Sequence, residues 1–263
     1  MNNHPYWKIQ DPAKALFPDI EWSKPEQRQH AGKLGIIGGN KLGFISVAEA
    51  YTTSLNTGAG SVKVLLPDAL KKTIPKTITD TLFATTNQSG GLSKEAITEM
   101  KALGSWAESI LLIGDAGRNS ETAIVYEEFI QSYTSGQLVI TRDAVDLLKN
   151  SMSTILDRPN TLLVVSFAQL QKIFQAVYYP KVLTFSMNLI NLIETLHKFT
   201  ISYPVTIVVP HRENIIIASD GEVVTTKWDN QMAIWRGSVA TKAACFWLWT
   251  PNKPVEAIAT SLI

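Results

Sequence analysis

One stretch, residues 33–67, constrains the fold more than any other part of the chain. An apolar run at 34–37 ends on two glycines, and a segment with the apolar spacing of a helix follows over 47–55. Glycines within 57–60 interrupt that segment before a second apolar run at 62–66. Two apolar runs joined through a helix are most simply parallel neighbours in a sheet, with a right-handed crossover. The stretch therefore predicts a strand, a helix and a parallel strand.

Gly38, Gly39 and Asn40 follow the first predicted strand. Open parallel sheets place ligands at the carboxyl ends of their strands, so backbone amides exposed at this turn could accept an anion. A plain tight turn explains the two glycines equally well. The dinucleotide fingerprint G-x-G-x-x-G is absent, because Gly43 comes too late. Both readings of the turn stay open at this point.

Strand and helix continue to alternate through the middle of the chain. Apolar runs at 110–113, 138–140 and 162–165 are each followed by a segment that favours a helix. This alternation selects a parallel sheet with helices on both faces. Short β-rich runs over 205–226 then predict an antiparallel C-terminal edge, and two helices over 237–262 close the chain. The predicted fold class is α/β with a mostly parallel central sheet.

No linker or break in composition divides the chain, so we predict one domain over residues 1–263. Residues 1–32 carry several prolines, scattered aromatic side chains and a polar stretch. They predict an N-terminal arm laid over the domain, with Trp7, Phe17 and Trp22 as its anchors.

Charge and cysteine content limit the partners and the compartment. The net charge of +1 argues against a nucleic-acid surface. No apolar stretch reaches the length that spans a membrane and no signal pattern opens the chain, so we expect no membrane partner. Cys245 is the only cysteine, which favours a reducing cytoplasm. The histidines have no metal-ligand spacing, and we predict no metal site in the protein itself.

Several motifs together resemble those of the NAD(P)H-hydrate dehydratase family. GGN at 38–40, followed by AEAYTTSLNTGAGSVKVLLP, is similar to the family's GGS, helix, R-x-GAG and strand sequence. Weaker matches are IGDAG at 113–117, where the family has a glycine-rich IGPG turn, and TRDAVDLL at 141–148, where it has DADAL. IIIASDGEVV at 215–224 also matches. The resemblance runs from Lys33 almost to the C-terminus.

The resemblance implies a ribokinase-like fold, an ADP or ATP cofactor with Mg²⁺, and a homo-oligomer. Enzymes of this family restore hydrated NADH or NADPH: the nucleotide phosphorylates the hydrate hydroxyl, and phosphate then leaves. Such chemistry requires a carboxylate that deprotonates the hydroxyl and amides at a helix N-terminus that hold the transferred phosphoryl group. In the family both come from one G-[ST]-G-D motif before the penultimate helix.

Counting back from PVEA at 254–257, that motif falls on Trp235, Arg236, Gly237 and Ser238. Ser238 stands where the family has its aspartate, and a serine hydroxyl cannot act as the base near neutral pH. Because a general base typically contributes about 10²- to 10⁴-fold, this change predicts a weak or inactive enzyme.

Three other loops depart from the family pattern. Ile45 and Ser46 replace a glycine and an alanine, VVSFAQ at 164–169 replaces a TPHPGE-like segment, and Pro210 and His211 replace a KG pair. These losses favour a relative that has lost the reaction but still binds a nucleotide or another phosphorylated ligand. One alternative is an active dehydratase or small-molecule kinase with a relocated base, and another is a purely structural subunit.

Asp143 and Asp229 are the candidates for a relocated base. Asp143 follows a predicted strand, where it would either face a cleft or cap a helix. Arg236 would either hold an anion beside the Gly237 helix or face solvent. Ser166 and Gln169 have the spacing of a capping box, and His211 is expected to be a solvated loop residue. The candidate catalytic residues are thus Ser238, as the position of the lost aspartate, and Asp143; the candidate nucleotide- or anion-binding residues are Gly38, Gly39, Asn40, Gly114, Gly117, Arg236 and Gly237.

Overall fold

A computed structural model describes residues 4–263, except for the side chain of Gln231. Within residues 4–263, ten strands form one sheet in the order β1-β10-β9-β8-β7-β6-β5-β2-β3-β4. The strands are β1 (Trp7–Gln10), β2 (Lys33–Gly38), β3 (Ser61–Pro67), β4 (Thr81–Ala84), β5 (Ser109–Gly114), β6 (Gln137–Thr141), β7 (Thr161–Val164), β8 (Val205–His211), β9 (Asn214–Ser219) and β10 (Glu222–Lys227).

Helices cover both faces of this sheet, as the alternation in the sequence predicts. The helices are α1 (Ile45–Thr57), α2 (Ile97–Trp106), α3 (Ser120–Ser132), α4 (Asp143–Leu147), α5 (Met152–Leu156), α6 (Phe167–Ala176), α7 (Leu189–Ser202), α8 (Gln231–Arg236), α9 (Ser238–Trp249) and α10 (Pro254–Thr260). The predicted α/β class with a mostly parallel sheet is confirmed.

The opening unit β2, α1 and β3 forms as predicted. β2 pairs in parallel with β3 on one side and with β5 on the other. Gly58 ends α1 in the left-handed conformation, with φ of +110°, which a glycine adopts without the steric cost of a Cβ atom. β2 is therefore the strand from which the sheet extends in both directions, with β3 and β4 on one side and the other strands on the opposite side.

Alternate residues of the central strands enter two separate cores. Ile37 and Leu112 pack on the side of α2, α3, α6 and α7, whereas Ile36 and Leu111 pack on the side of α1, α9 and α10. All four side chains are fully buried, and burial of each contributes about 1.5–3 kcal/mol to stability. Strands buried on both faces read as continuous apolar runs, which explains the pattern in the sequence.

The N-terminal arm contributes the outermost strand of the sheet. β8, β9 and β10 are antiparallel as predicted, but β1 pairs in parallel with β10 and covers it. The antiparallel strands therefore do not form the edge. Trp7 donates a hydrogen bond to Thr225 (2.9 Å). Trp22 is 87% exposed, so its prediction as an anchor is wrong, and Ile20, which is 2% exposed, is buried instead. Residues 1–3 of the predicted arm lie outside the described residues.

Trp247 and Trp249 have partners within the chain. Trp247 is buried, and Trp249 donates from its indole nitrogen to the Ala31 carbonyl (3.2 Å), so it covers the N-terminal arm. None of the helices within residues 4–263 combines the length and the apolar character that crossing a bilayer requires.

Candidate ligand-binding cleft

A cleft of about 840 Å³ opens at the carboxyl ends of β2, β5, β6 and β7. Asn40 and Asp115 lie on the loops after β2 and β5, and Thr141 and Val164 end β6 and β7. From β2 the chain first extends the sheet to one side, through β3, and later to the other, through β5. Open α/β sheets bind ligands at such a switch point.

The structure brings part of the predicted site together at this cleft. Asn40, Gly117, Asp143 and Arg236 line it. Among the described residues that line the cleft, the other predicted positions are missing: Gly38, Gly39, Gly114, Gly237 and Ser238. The ligand-binding role of all these residues stays a prediction.

The glycines after β2 and β5 have a conformational reason that needs no ligand. A Cβ atom on Gly38 would overlap the carbonyl oxygen of Gly114, and one on Gly114 would overlap the Asp143 carboxylate. Gly39 has φ of +85° and donates its N–H to Gly114 (2.9 Å). Close approach and a left-handed turn thus account for these positions.

Ser238 begins α9 and is not among the described residues that line the cleft. Gly237, with φ of +83°, separates α8 from α9 and donates its N–H to Ile234 (3.0 Å). The Ser238 hydroxyl donates to the Ala233 carbonyl (3.0 Å), one turn back in α8. The residues of α8, among them Trp235 and Arg236, line the cleft in place of the α9 terminus.

An ion pair lies on the floor of the cleft. Arg142 donates from Nη2 to Oδ1 of Asp115 (2.6 Å), and the Ser46 N–H donates to the other oxygen, Oδ2 (2.8 Å). Ser46 is the second residue of α1, so the carboxylate lies at the positive end of that helix. The Asp115 charge is therefore neutralised from two directions.

Asp143 is half-buried beside this pair. Its carboxylate accepts the N–H of Asp115 (2.8 Å) and of Ala116 (3.0 Å), so it fixes the turn after β5. Burial, and after it the negative charge of Asp115, raises the pKa of Asp143, although the backbone hydrogen bonds oppose the shift. Asp143 therefore lines the cleft but does not cap a helix: it is the first residue of α4, which has no side-chain cap, and its carboxylate binds the turn after β5.

Tyr126 of α3 is fully buried and its hydroxyl makes no hydrogen bond with the described residues. Burial, and then the charges of Asp143 and Asp115, raise its pKa, so the hydroxyl stays protonated. Its place in a buried helix face is typical of a core residue, and the sequence carries no sign that it lies near the cleft.

The capping box at the start of α6 is confirmed. The Ser166 hydroxyl accepts the Gln169 N–H (3.2 Å), and the Gln169 side chain accepts the Ser166 N–H (3.0 Å). Gln169 also donates to the Arg142 carbonyl (2.7 Å) and to Asp146 (2.8 Å). Lys172 donates to the same Asp146 carboxylate (2.6 Å). α6 is thereby tied to the loop that carries Arg142.

Cationic and apolar side chains surround the mouth of the cleft. Arg118 and Arg236 both line it and are exposed. Four large apolar side chains also line the mouth and are at least 58% exposed: Leu42, Ile45, Met232 and Trp235. Ile45 is 71% exposed, so its branched side chain points to solvent and does not crowd the backbone.

A second cavity, of about 1150 Å³, adjoins the cleft between α3, α4, α5 and α6. Among the described residues, the two cavities share five lining residues: Gly117, Arg118, Asp143, Asp146 and Gln169. A ligand in the cleft therefore has room to extend past Arg118.

The structure also decides the surroundings of His211 and Asp229. His211 is not a solvated loop residue: it ends β8, is 4% exposed and its Nε2 atom contacts the Met187 carbonyl (2.9 Å). Its ring also packs against Phe167, which no local sequence signal indicates. Asp229 is exposed, and among the described residues the cleft lining does not include it.

The acidic residues of the cleft do not form a metal centre of their own. Within residues 4–263 no three His, Cys, Asp or Glu side chains are grouped so as to hold a metal ion. Asp115 is paired with Arg142, Asp143 with backbone amides, and Asp146 with Lys172. Mg²⁺ is usually held by one or two carboxylates together with substrate phosphates, so these residues fit a resident Mg²⁺ poorly.

No protein-family model and no curated protein matches this chain. Several solved structures, in contrast, are similar to this chain. A ribokinase-like superfamily protein from Enterococcus faecalis V583 superposes with a TM-score of 0.73 at 15% identity, over 98% of this chain and 86% of that one. The chain has the ribokinase-like fold. At this identity the likeness shows the fold and no activity.

Other ribokinase-like structures similar to this chain include enzymes. An ADP/ATP-dependent NAD(P)H-hydrate dehydratase from Bacillus subtilis, crystallised with ATP and Mg²⁺, has a TM-score of 0.57 at 8% identity over 92% of this chain and 84% of its own. Bacillus subtilis pyridoxal kinase, as an ADP complex, has a TM-score of 0.54 at 10% identity over 88% of each chain. The ribokinase-like fold predicted from the resemblance is confirmed, and the specific family stays a prediction.

Proposed function

We propose that this ribokinase-like protein binds a nucleotide or another phosphorylated ligand in the cleft and catalyses the hydrate dehydratase reaction weakly or not at all. The observation that carries the proposal is the state of Ser238. Its hydroxyl donates to a backbone carbonyl at the position where the family resemblance expects a carboxylate. A hydroxyl that is already a donor to Ala233 offers neither the charge nor the orientation of a general base.

The position and charge of the cleft support ligand binding. It lies at the switch point of the sheet, and Arg118 and Arg236 stand at its mouth. Arginine is suited to phosphate because its planar guanidinium donates two parallel hydrogen bonds. Solved neighbours with the same fold hold ATP with Mg²⁺ or ADP, in support of the same ligand class here. Any Mg²⁺ would enter with the nucleotide phosphates, since the acids of the cleft already have partners.

The binding half of the proposal is tested by isothermal titration calorimetry with ADP and ATP. We expect Arg236→Ala to weaken binding about tenfold, which corresponds to ~1.4 kcal/mol. Lys242→Ala is the matched control, because Lys242 is an exposed cation on the adjacent α9 that does not line the cleft. Equal loss in both variants, or no binding by the wild type at millimolar nucleotide, would contradict the proposal.

A relocated base is the second candidate, and Asp143 is the residue that favours it. Asp143 lines the cleft, and burial raises its pKa, which is a common property of general bases. Against this role, both carboxylate oxygens already accept backbone N–H groups. If Asp143 is the base, wild-type protein turns over hydrated NADH with ADP or ATP and Asp143→Asn loses about 10²-fold or more of that rate.

A further inference from the structure

The ion pair on the cleft floor joins two positions that depart from the family resemblance. Asp115 lies within IGDAG, where the family has IGPG, and Arg142 lies within TRDAVDLL, where it has DADAL. The two side chains are 27 positions apart in the sequence and meet at 2.6 Å, with only 19% and 20% of their side-chain surfaces exposed. The cleft therefore contains a cation that the family resemblance does not predict, together with its counter-ion.

Asp115 also binds as an external anion would. Its second oxygen accepts the N–H of Ser46 in the first turn of the 13-residue helix α1. An anion at such a position interacts favourably with the free N–H groups and with the helix dipole. One carboxylate thus contacts both Arg142 and the start of α1, two groups of the kind that bind phosphate.

The backbone on both sides of the ion pair is held in an uncommon conformation. Asp115 has φ of +55° and Arg142 has φ of +57°, a region that residues with a Cβ atom seldom adopt. Asp143 accepts the Asp115 N–H, and Gln169 donates to the Arg142 carbonyl, so each side has its own support. Such residues cluster at ligand clamps and switch regions.

Arg142 has an unused donor as well. Its Nε atom is buried and makes no hydrogen bond within the described part of the chain. A guanidinium that contacts a carboxylate through Nη2 alone leaves the bidentate edge, Nε with one Nη, incompletely used. A phosphate group has enough oxygen atoms to accept from both nitrogens at once.

We propose that Asp115 is a built-in competitor for Arg142, which a phosphate group of the ligand displaces when it enters the cleft. The inference rests on the proposed function, because it concerns regulation of the same cleft. Asp115 and a phosphate cannot occupy the same side of the guanidinium together. The ion pair therefore lowers the affinity for every anionic ligand and selects those whose other contacts are strong enough to open it.

The test uses inorganic pyrophosphate and the full-length protein with Asp115→Asn. Asparagine tolerates the left-handed backbone and keeps an oxygen that accepts the Ser46 N–H, but it removes the charge that holds Arg142. We expect calorimetry to show at least a tenfold gain in pyrophosphate affinity. Asp220→Asn is the matched control, because Asp220 also has a positive φ, of +48°, and lies in the β9–β10 turn, which is not part of the cleft lining among the described residues. The pyrophosphate affinity of this variant should equal that of the wild type.

The double variant Asp115→Asn/Arg142→Asn separates competition at Arg142 from a general change in cleft charge, and it should lose the gain. An Asp115→Asn protein that binds pyrophosphate no more tightly than the wild type, or a double variant that keeps the gain, overturns the inference. If Asp115→Asn does not fold, the ¹⁵N signal of Arg142 Nε in wild-type protein replaces it: saturation with pyrophosphate should move that signal, and an unmoved signal overturns the inference. Wild-type ADP binding without a gain in Asp115→Asn refutes this inference alone, whereas no binding by either protein refutes the proposed function too.

Discussion

Asp143 lines the cleft, and its raised pKa gives a test at the residue scale. Burial raises that pKa above the usual 3.8, so the folded protein keeps this proton at pH values where the unfolded chain has released it. The stability that Asp143 contributes is therefore fully present below pH 3.8 and is lost as the pH rises through its folded-state pKa.

We expect the free energy of unfolding of the wild type, minus that of Asp143→Asn, to fall as the pH rises from about 4 towards 7. Urea unfolding of both proteins across this range provides the measurement. A difference that grows with pH would mean that the backbone hydrogen bonds outweigh burial and that the pKa is lowered.

Single residues also mark where sequence reasoning succeeds and where it fails. The capping box of Ser166 and Gln169 could be predicted, because both partners lie within one helical turn. His211 and Trp22 could not, since what buries a side chain or leaves it exposed is set by segments far away in the sequence: Phe167 packs on His211, and Ile20 takes the place expected for Trp22.

At the scale of elements, the junction between α8 and α9 depends on Gly237. Its φ is +83°, and a Cβ atom there would overlap the buried side chain of Ile113. We expect Gly237→Ala to lower the free energy of unfolding by more than ~1 kcal/mol, because backbone strain and overlap add. Chemical denaturation measures the difference.

Gly43→Ala is the matched control for this junction. Within the part of the chain that the structure describes, a Cβ atom on Gly43 would meet no atom within 4 Å, and the φ of Gly43 is not among the positive values. Its free energy of unfolding should change by less than about 0.5 kcal/mol. Similar destabilisation by both substitutions would show that the junction is more adaptable than its geometry indicates.

The elements of the fold were predictable wherever local pattern decides them. β2, α1 and β3 follow from apolar spacing and glycine position, and the central strands follow from runs that are buried on both faces. β1 was not predictable as a strand of the sheet, because its pairing with β10 joins Trp7 to Val223 across most of the chain. Edge pairing of this kind leaves no periodic signal in a four-residue segment.

At the scale of the whole molecule, the sequence predicts where the cleft lies but not which side-chain contacts stabilise the floor of the cleft. The carboxyl ends of parallel strands meet at one edge, which places Asn40, Asp115 and Thr141 together. Contact between Asp115 and Arg142 depends on two residues with positive φ, which ordinary propensities do not indicate. The prediction of a homo-oligomer likewise stays a prediction.

In the proposed function, a ribokinase-like scaffold keeps its ligand cleft while Ser238 stands where the family resemblance expects the proton acceptor. The protein is then expected to bind a ligand in the cleft without catalysing the dehydratase reaction efficiently. Loss of a general base lowers the rate about 10²- to 10⁴-fold. The same loss leaves the arginines at the mouth of the cleft unchanged, so ligand binding is kept.

The most direct measurement follows the release of NADH from hydrated NADH by the purified protein with ADP or ATP, beside an active dehydratase of the same fold. The proposed function predicts a rate at least about 10²-fold below that of the active enzyme. A comparable rate would contradict it and would show that another residue of the cleft takes up the proton.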